Sequence, residues 1–166
     1  MSDIEIIPCV NEEMLGETSV AAYEIWREYF SNLLEREQIE YMLDRFLSPA
    51  AMKRQVAEDS YGYWQVRENA EIIGFIGLQF QPDRLFLSKL YLNKVVRGRH
   101  IASRMLEMVY EEGRSHGYEK VWLTCNKYNT HSLDVYRAKG FVTFGAGVTD
   151  IGHGYVMDDY FLERVL

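Results

Sequence analysis

The segment Leu90-Tyr91-Leu92-Asn93-Lys94-Val95-Val96-Arg97-Gly98-Arg99-His100-Ile101-Ala102-Ser103 concentrates the most chemistry. A strand-like run enters a tight turn at Gly98, Arg97 and Arg99 flank that glycine, and an amphipathic helix opens directly after it. The first amides of a helix have no acceptor inside the helix, and the aligned peptide dipoles add partial positive charge there. Such a terminus accepts a phosphate or pyrophosphate, to which Arg97 and Arg99 can add charge-assisted bonds. The turn is not a Walker loop, since G-x-x-x-x-G-K-S/T does not occur, nor a dinucleotide fingerprint, since G-x-G-x-x-G is absent. Taken alone, the pattern also fits an ordinary strand-to-helix connection.

A second segment follows the next strand: Asn129-Thr130-His131-Ser132-Leu133-Asp134-Val135-Tyr136-Arg137-Ala138-Lys139-Gly140-Phe141. With the Arg97–Ala102 turn, it resembles the GCN5-related N-acetyltransferase superfamily. There the phosphate turn reads R/Q-x-x-G-x-G/A and a downstream helix reads N-x-x-A-x-x-x-Y-x-x-x-G-F. Arg97, Ala102, Asn129, Tyr136, Gly140 and Phe141 fall on those patterns. The resemblance runs from about Tyr63 to the C terminus, and the first third matches only as helices that the family also has. His100 stands where the turn has glycine, and Ser132 where the helix has alanine. Glycine lets backbone approach a pyrophosphate and tolerates positive φ. The imidazole of His100 therefore either points to solvent or bonds phosphate itself.

The resemblance implies acetyl-CoA as co-substrate, with no metal. It implies a strand ending at Leu90, Tyr91 and Leu92 that splays from the strand Lys120–Cys125. The pantetheine arm would lie in that cleft like an added strand. The residues implied to hold the cofactor are Leu90, Tyr91, Leu92, Arg97, Gly98, Arg99, His100, Ile101, Ala102, Ser103 and Asn129. Backbone donors near Leu90–Leu92 would hold the developing negative charge, and a neutral amine would attack directly. Tyr136 would protonate the departing thiolate, a task that suits a phenol because it is protonated at pH 7. The other reading of Tyr136 is one core tyrosine among 12.

An amine resembling lysine must lose a proton before attack. Asp158, Asp159, Glu24, Glu28 and a water chain are all open as the acceptor, and strand alternation lets only one of Asp158 and Asp159 face a cleft. Cys125 has no His–carboxylate arrangement beside it and reads as a buried thiol. His116, His131 and His153 lack metal-ligand spacing, so no metal is expected. Tyr23, Trp26, Tyr29 and Phe30 could wall a cation, but their helical spacing favours core packing.

The elements that must position these residues follow from periodicity. Helices are expected over 18–31 and 36–46, and a short third one opens at Ser48-Pro49, an N-cap followed by proline at the first helical position. Strands are expected over 63–68, 71–79 and 85–92. A helix over 99–114 ending at Gly117, a strand over 120–125, a helix over 129–139 ending at Gly140, and strands over 141–148 and 155–162 complete the chain. The expected fold is mixed α/β: a mostly antiparallel sheet of six to seven strands flanked by helices, with a splayed pair forming the acetyl-CoA cleft. At 166 residues one domain spans the chain; helices over about 18–59 wall the acceptor site and about 85–141 form the cofactor core.

Charge points to the ligands. Residues 1–59 carry 13 acids and five bases, whereas residues 84–106 contain no acid and hold Arg84, Lys89, Lys94, Arg97, Arg99 and Arg104. A cationic stretch in a chain of net charge −7 suits a small anion, not nucleic acid. The acidic first third suits a cationic second ligand, or is simply a set of solvated helix faces. Two cysteines, no long apolar run and no leader after Met1 and Ser2 suggest a cytoplasmic protein with no membrane partner. The ending Gly152-His153-Gly154-Tyr155-Val156-Met157-Asp158-Asp159-Tyr160, with Phe30–Leu34 and Tyr41–Leu43, is similar to the bacterial polyamine-acetylating branch. A small-molecule amine such as spermidine or spermine is the expected acceptor. A protein N terminus, a lysine, an amino acid, or a non-catalytic acyl-CoA sensor are the alternatives, and a homodimer is the expected assembly.

Overall fold

A computed structural model describes residues 3–166; Met1 and Ser2, the first two of the five residues on which the expectation about a leader rests, lie outside them. In chain order the elements are β1 (Ile4–Pro8), α1 (Glu12–Tyr29), α2 (Arg36–Phe46), α3 (Pro49–Glu58), β2 (Tyr61–Glu68), β3 (Glu71–Phe80) and β4 (Leu85–Leu92). A turn of 3-10 helix (Lys94–Val96) leads to α4 (Ile101–Ser115), β5 (Lys120–Asn126), α5 (Thr130–Ala138), β6 (Val142–Gly152) and β7 (Tyr155–Val165).

Local chemistry sets most of these boundaries. The Ser48 side chain accepts from the Ala51 amide at 3.2 Å with Pro49 behind it, so α3 starts where the Ser-Pro pair places it. Gly117 and Gly140 take positive φ just past the C-caps of α4 and α5 and end both helices. Two features depart from expectation. α1 begins at Glu12 rather than near residue 18, because Asn11 caps it by accepting from the Met14 amide at 2.9 Å. β1, which the sequence pattern does not announce, pairs along β2 from Ile4↔Glu68 to Pro8↔Trp64 and is held by that long partner.

Seven strands form one sheet in the order β1-β2-β3-β4-β5-β7-β6. Only the β4–β5 pair is parallel, and its register covers just Leu85↔Val121 and Phe86↔Trp122. Beyond those two rungs the strands diverge. β4 stays paired with β3 along its other edge, apart from a bulge at Ser88, and β5 with β7. The edge of Leu87–Leu92 that faces β5 therefore carries no ladder.

Each face of the sheet buries its own core. Met105, Leu106, Val109 and Tyr110 of α4 and Leu133 of α5 pack on strand residues such as Ile76, Leu85, Leu87 and Leu123. On the opposite face Ala22, Ile25 and Trp26 of α1, Met42 and Leu43 of α2, and Met52 of α3 pack on Tyr63, Phe75 and Ile151. This is the helix-flanked mixed sheet expected. Among the described residues no helix is long and apolar enough to cross a membrane.

Candidate active site

The divergence of β4 from β5 opens a cleft that runs through the sheet and ends in two cavities. One, of about 360 Å³, lies between α4 and α5 and is bounded by Leu90–Leu92, Arg97, Gly98 and residues 100–103. The other, of about 400 Å³, lies under α1–α3. They share Tyr29, Leu90, Tyr91, Ser132 and Tyr136, so the cleft is continuous.

At the α4 end, Gly98 has φ +81° and His100, the residue before the helix, has φ +62°. A glycine is replaced here by a residue held in the left-handed region, a conformation that disfavours side chains but is visited by histidine more often than by most. The His100 side chain makes no capping bond, so the leading amides of Ile101, Ala102 and Ser103 stay without an intrahelical or side-chain acceptor. The arginines behave differently from the expectation that both reach phosphate. Arg97 donates to Glu28 Oε1 at 3.0 Å and to the Leu92 carbonyl at 3.1 Å. Arg99 forms a two-point pair with Glu68 on β2 and does not line the cleft. Lys139, at the end of α5, reaches across and donates to Ser103 Oγ at 2.6 Å. That cation was hidden in the sequence because a contact between α5 and α4 leaves no local pattern. A splayed strand edge leading to free helix amides fits the pantetheine arm and diphosphate of coenzyme A.

Asn129 caps α5 through the Ser132 amide at 3.3 Å and donates from Nδ2 to Tyr29 Oη at 2.5 Å. The Tyr29 hydroxyl and Ser132 Oγ are 2.7 Å apart, so α1 and α5 are tied across the cleft. Tyr29, read as core from its spacing, thus lines both cavities. Tyr136 also borders both, with its ring against Phe141. Burial holds its phenol far above the ordinary range, and no described residue hydrogen-bonds its hydroxyl. The phenol is therefore neutral at any physiological pH.

The cavity under α1–α3 has walls from Trp26, Tyr29, Phe30, Phe46, Tyr61 and Tyr91. Among the described residues only two charged side chains line it, Lys89 and Asp159. Of the paired aspartates, Asp158 turns out to Lys127 at 2.9 Å and Asp159 turns inward. One Asp159 oxygen is buried without a hydrogen-bond partner. Burial, reinforced by the neighbouring Asp158 charge, raises its pKa to about 6. No glutamate of α1–α3 lines the cavity. Instead Glu12, Glu17, Glu28 and Glu40 pair with Lys53, Arg67, Arg97 and Arg27 at the surface. Of the two readings of the acidic first third, these acids fit the solvated helix faces, and the helices contribute aromatic surface to the cavity. Cys125 is buried and its thiol is pushed up to about 12, chiefly by desolvation, which leaves it protonated and inert. Among the described residues no cluster of three His, Cys, Asp or Glu is placed to hold a metal ion.

Comparison with known proteins agrees with this geometry. Residues 19–141 match the family model described as the Acetyltransferase (GNAT) family. An uncharacterized N-acetyltransferase of Lactobacillus delbrueckii subsp. lactis is 20% identical over 174 residues, spanning 100% of this chain and 99% of that one. Among solved structures, the PaiA N-acetyltransferase of Thermoplasma acidophilum, in complex with coenzyme A, aligns over 99% of both chains with TM-score 0.78 and 20% identity. A GCN5-related N-acetyltransferase of Rhodopseudomonas palustris aligns with TM-score 0.81 at 14% identity, over 100% of this chain and 98% of that one.

Proposed function

Since this chain belongs to the GNAT family and is an acetyl-CoA-dependent N-acetyltransferase, we propose that it acetylates the primary amine of a small molecule held in the cavity under α1–α3. What carries this reading is the meeting of two proton-handling groups at one cavity: Tyr136 from α5 and Asp159 from β7, both beside the unpaired edge of β4. Acetyl-CoA supplies an activated acetyl group and a thiolate leaving group.

The chain's own residues divide the remaining work. The amides of Ile101, Ala102 and Ser103 grip the diphosphate, with Lys139 and His100 beside them. The open edge of Leu90–Leu92 orients the pantetheine arm and donates to the carbonyl as negative charge builds. Asp159 accepts a proton from the incoming ammonium, and its raised pKa brings it nearer the working pH than an ordinary aspartate. Tyr136 gives a proton to the departing sulfur.

A polyamine is the narrower acceptor suggested by sequence. The cavity offers it one carboxyl, Asp159, and aromatic faces that attract cations, and sets against these the ammonium of Lys89. The test is thiol release from acetyl-CoA across polyamines, amino acids and simple amines. Turnover with a small amine that Tyr136→Phe suppresses supports the assignment. Binding of acetyl-CoA without release by any amine overturns it.

A further inference from the structure

Lys89 belongs to no role described so far. In β4, Leu85 and Leu87 face α4, and unbroken alternation would send Lys89 into the same apolar core. A β-bulge prevents this. Gly77 of β3 pairs with Lys89, and the next residue, Leu78, pairs with Leu87, which leaves Ser88 unmatched. The extra residue reverses the alternation, so Leu90 and Leu92 return to the α4 face while Lys89 and Tyr91 turn toward α1–α3. Gly77 makes room for this: a Cβ there would meet the Tyr63 ring at 2.9 Å and Lys89 Cβ at 3.4 Å.

The ammonium is therefore delivered into the acceptor cavity, where it lacks a counter-ion. Lys89 is 6% exposed. Its Nζ donates to Ser88 Oγ at 2.9 Å and lies 5.0 Å and 5.7 Å from the ring centres of Tyr61 and Tyr63. Among the described residues no carboxylate lies within ion-pair distance of it. Two of its three donors are unused. The Trp26 indole, whose ring lines the same cavity, also has a buried N–H without a partner. Burial with no compensating acid lowers the Lys89 pKa to about 7. Buried donors with no acceptor cost free energy, and a ligand oxygen would remove that cost.

We infer that Lys89 reads an anionic group on the acceptor, so that the preferred substrate is an amine that also carries a carboxylate, with an apolar body against the aromatic walls. This rests on the amine-acetylating function above and gives it a substrate class. Asp159 serves the ammonium end and Lys89 the carboxylate end, whereas a polycation would meet an unshielded ammonium in the same cavity.

The test compares matched acceptors in thiol release: L-phenylalanine with phenethylamine, 6-aminohexanoate with hexylamine, and spermidine. The wild-type enzyme is expected to favour the carboxylated member of at least one pair about tenfold or more in kcat/KM, as for a buried charge-assisted bond. Lys89→Met should abolish that ratio and Lys89→Arg should retain part of it. A purely structural role for Lys89 would lower both members of a pair together and leave the ratio intact. Equal or better turnover of the uncharged-tail amines or spermidine, or a ratio that survives Lys89→Met, overturns the inference while leaving amine acetylation standing. No turnover of any amine by a protein that binds acetyl-CoA removes both.

Discussion

The two ends of the cleft bind by opposite means. At the α4 end the contacts offered are main-chain amides, and the cationic side chains in the turn are already matched: Arg97 by Glu28, Arg99 by Glu68. At the α1–α3 end the helix main chain is occupied in helices, and the ionisable side chains of Lys89 from β4 and Asp159 from β7 stand in an aromatic cavity without an ion-pair partner among the described residues. An invariant co-substrate can be held by backbone, which any sequence supplies once the turn has its shape. A particular acceptor must be distinguished by side chains, and groups kept unsatisfied in the free protein are the ones that discriminate best.

The sharpest way to break this comparison is at the junction of the two ends. Tyr136→Phe should lower kcat by about 100- to 10,000-fold while leaving acetyl-CoA affinity in place, as read by steady-state thiol release and calorimetry. Equal loss of affinity would make Tyr136 a binding residue instead.

Asp159→Asn should reduce kcat/KM by roughly 100-fold at neutral pH. The base must be ionised to work, so wild-type activity should rise as pH passes upward through about 6, and a pH–rate profile of the variant should lose that limb.

Lys89→Met should stabilise the fold. The free chain's lysine binds a proton below about 10.5, whereas the folded one does so only below about 7. Wild-type stability therefore rises with pH between those values, and the variant's advantage is present near pH 7 and disappears above about 10.5. At about 1.4 kcal/mol per pKa unit the advantage is a few kcal/mol, measurable by urea denaturation at pH 7 and pH 10.5.

Smaller effects belong to the backbone end. His100→Gly relieves a left-handed residue and should gain up to about 1 kcal/mol, seen as a melting temperature raised by about 2–4 °C. Arg99→Ala should leave the calorimetric affinity for coenzyme A where it was, because its guanidinium serves Glu68. A clear loss would show that side-chain charge, not main chain, holds the diphosphate.

Legibility in the sequence divides along the same line. Ser48-Pro49, Gly117, Gly140, and the paired turn and helix motifs act over a few residues, so α3, the helix ends and the turn that opens α4 could be read directly. Arg97 and Glu28 lie 69 positions apart and Arg99 and Glu68 31 apart, so their neutralisation could not. Alternation narrowed Asp158 and Asp159 to one, but the identity of the inward one depends on packing against β5 and β6. Lys89 was counted among the basic residues before the turn, and period-two alternation alone would have misplaced it. The bulge at Ser88 is defined by its β3 partner and leaves no mark in β4 itself.

The seam at Leu85–Val121 and Phe86–Trp122 has a consequence for durability. Two rungs are all that join β4 to β5 in the sheet, so a ligand laid in the gap would add contacts to both strands. By mass action, co-substrate at 100 times its dissociation constant adds about 2.7 kcal/mol against unfolding. The protein's lifetime would then track the supply of acetyl-CoA as well as its sequence, and amide exchange along β4 should slow most when that supply is ample.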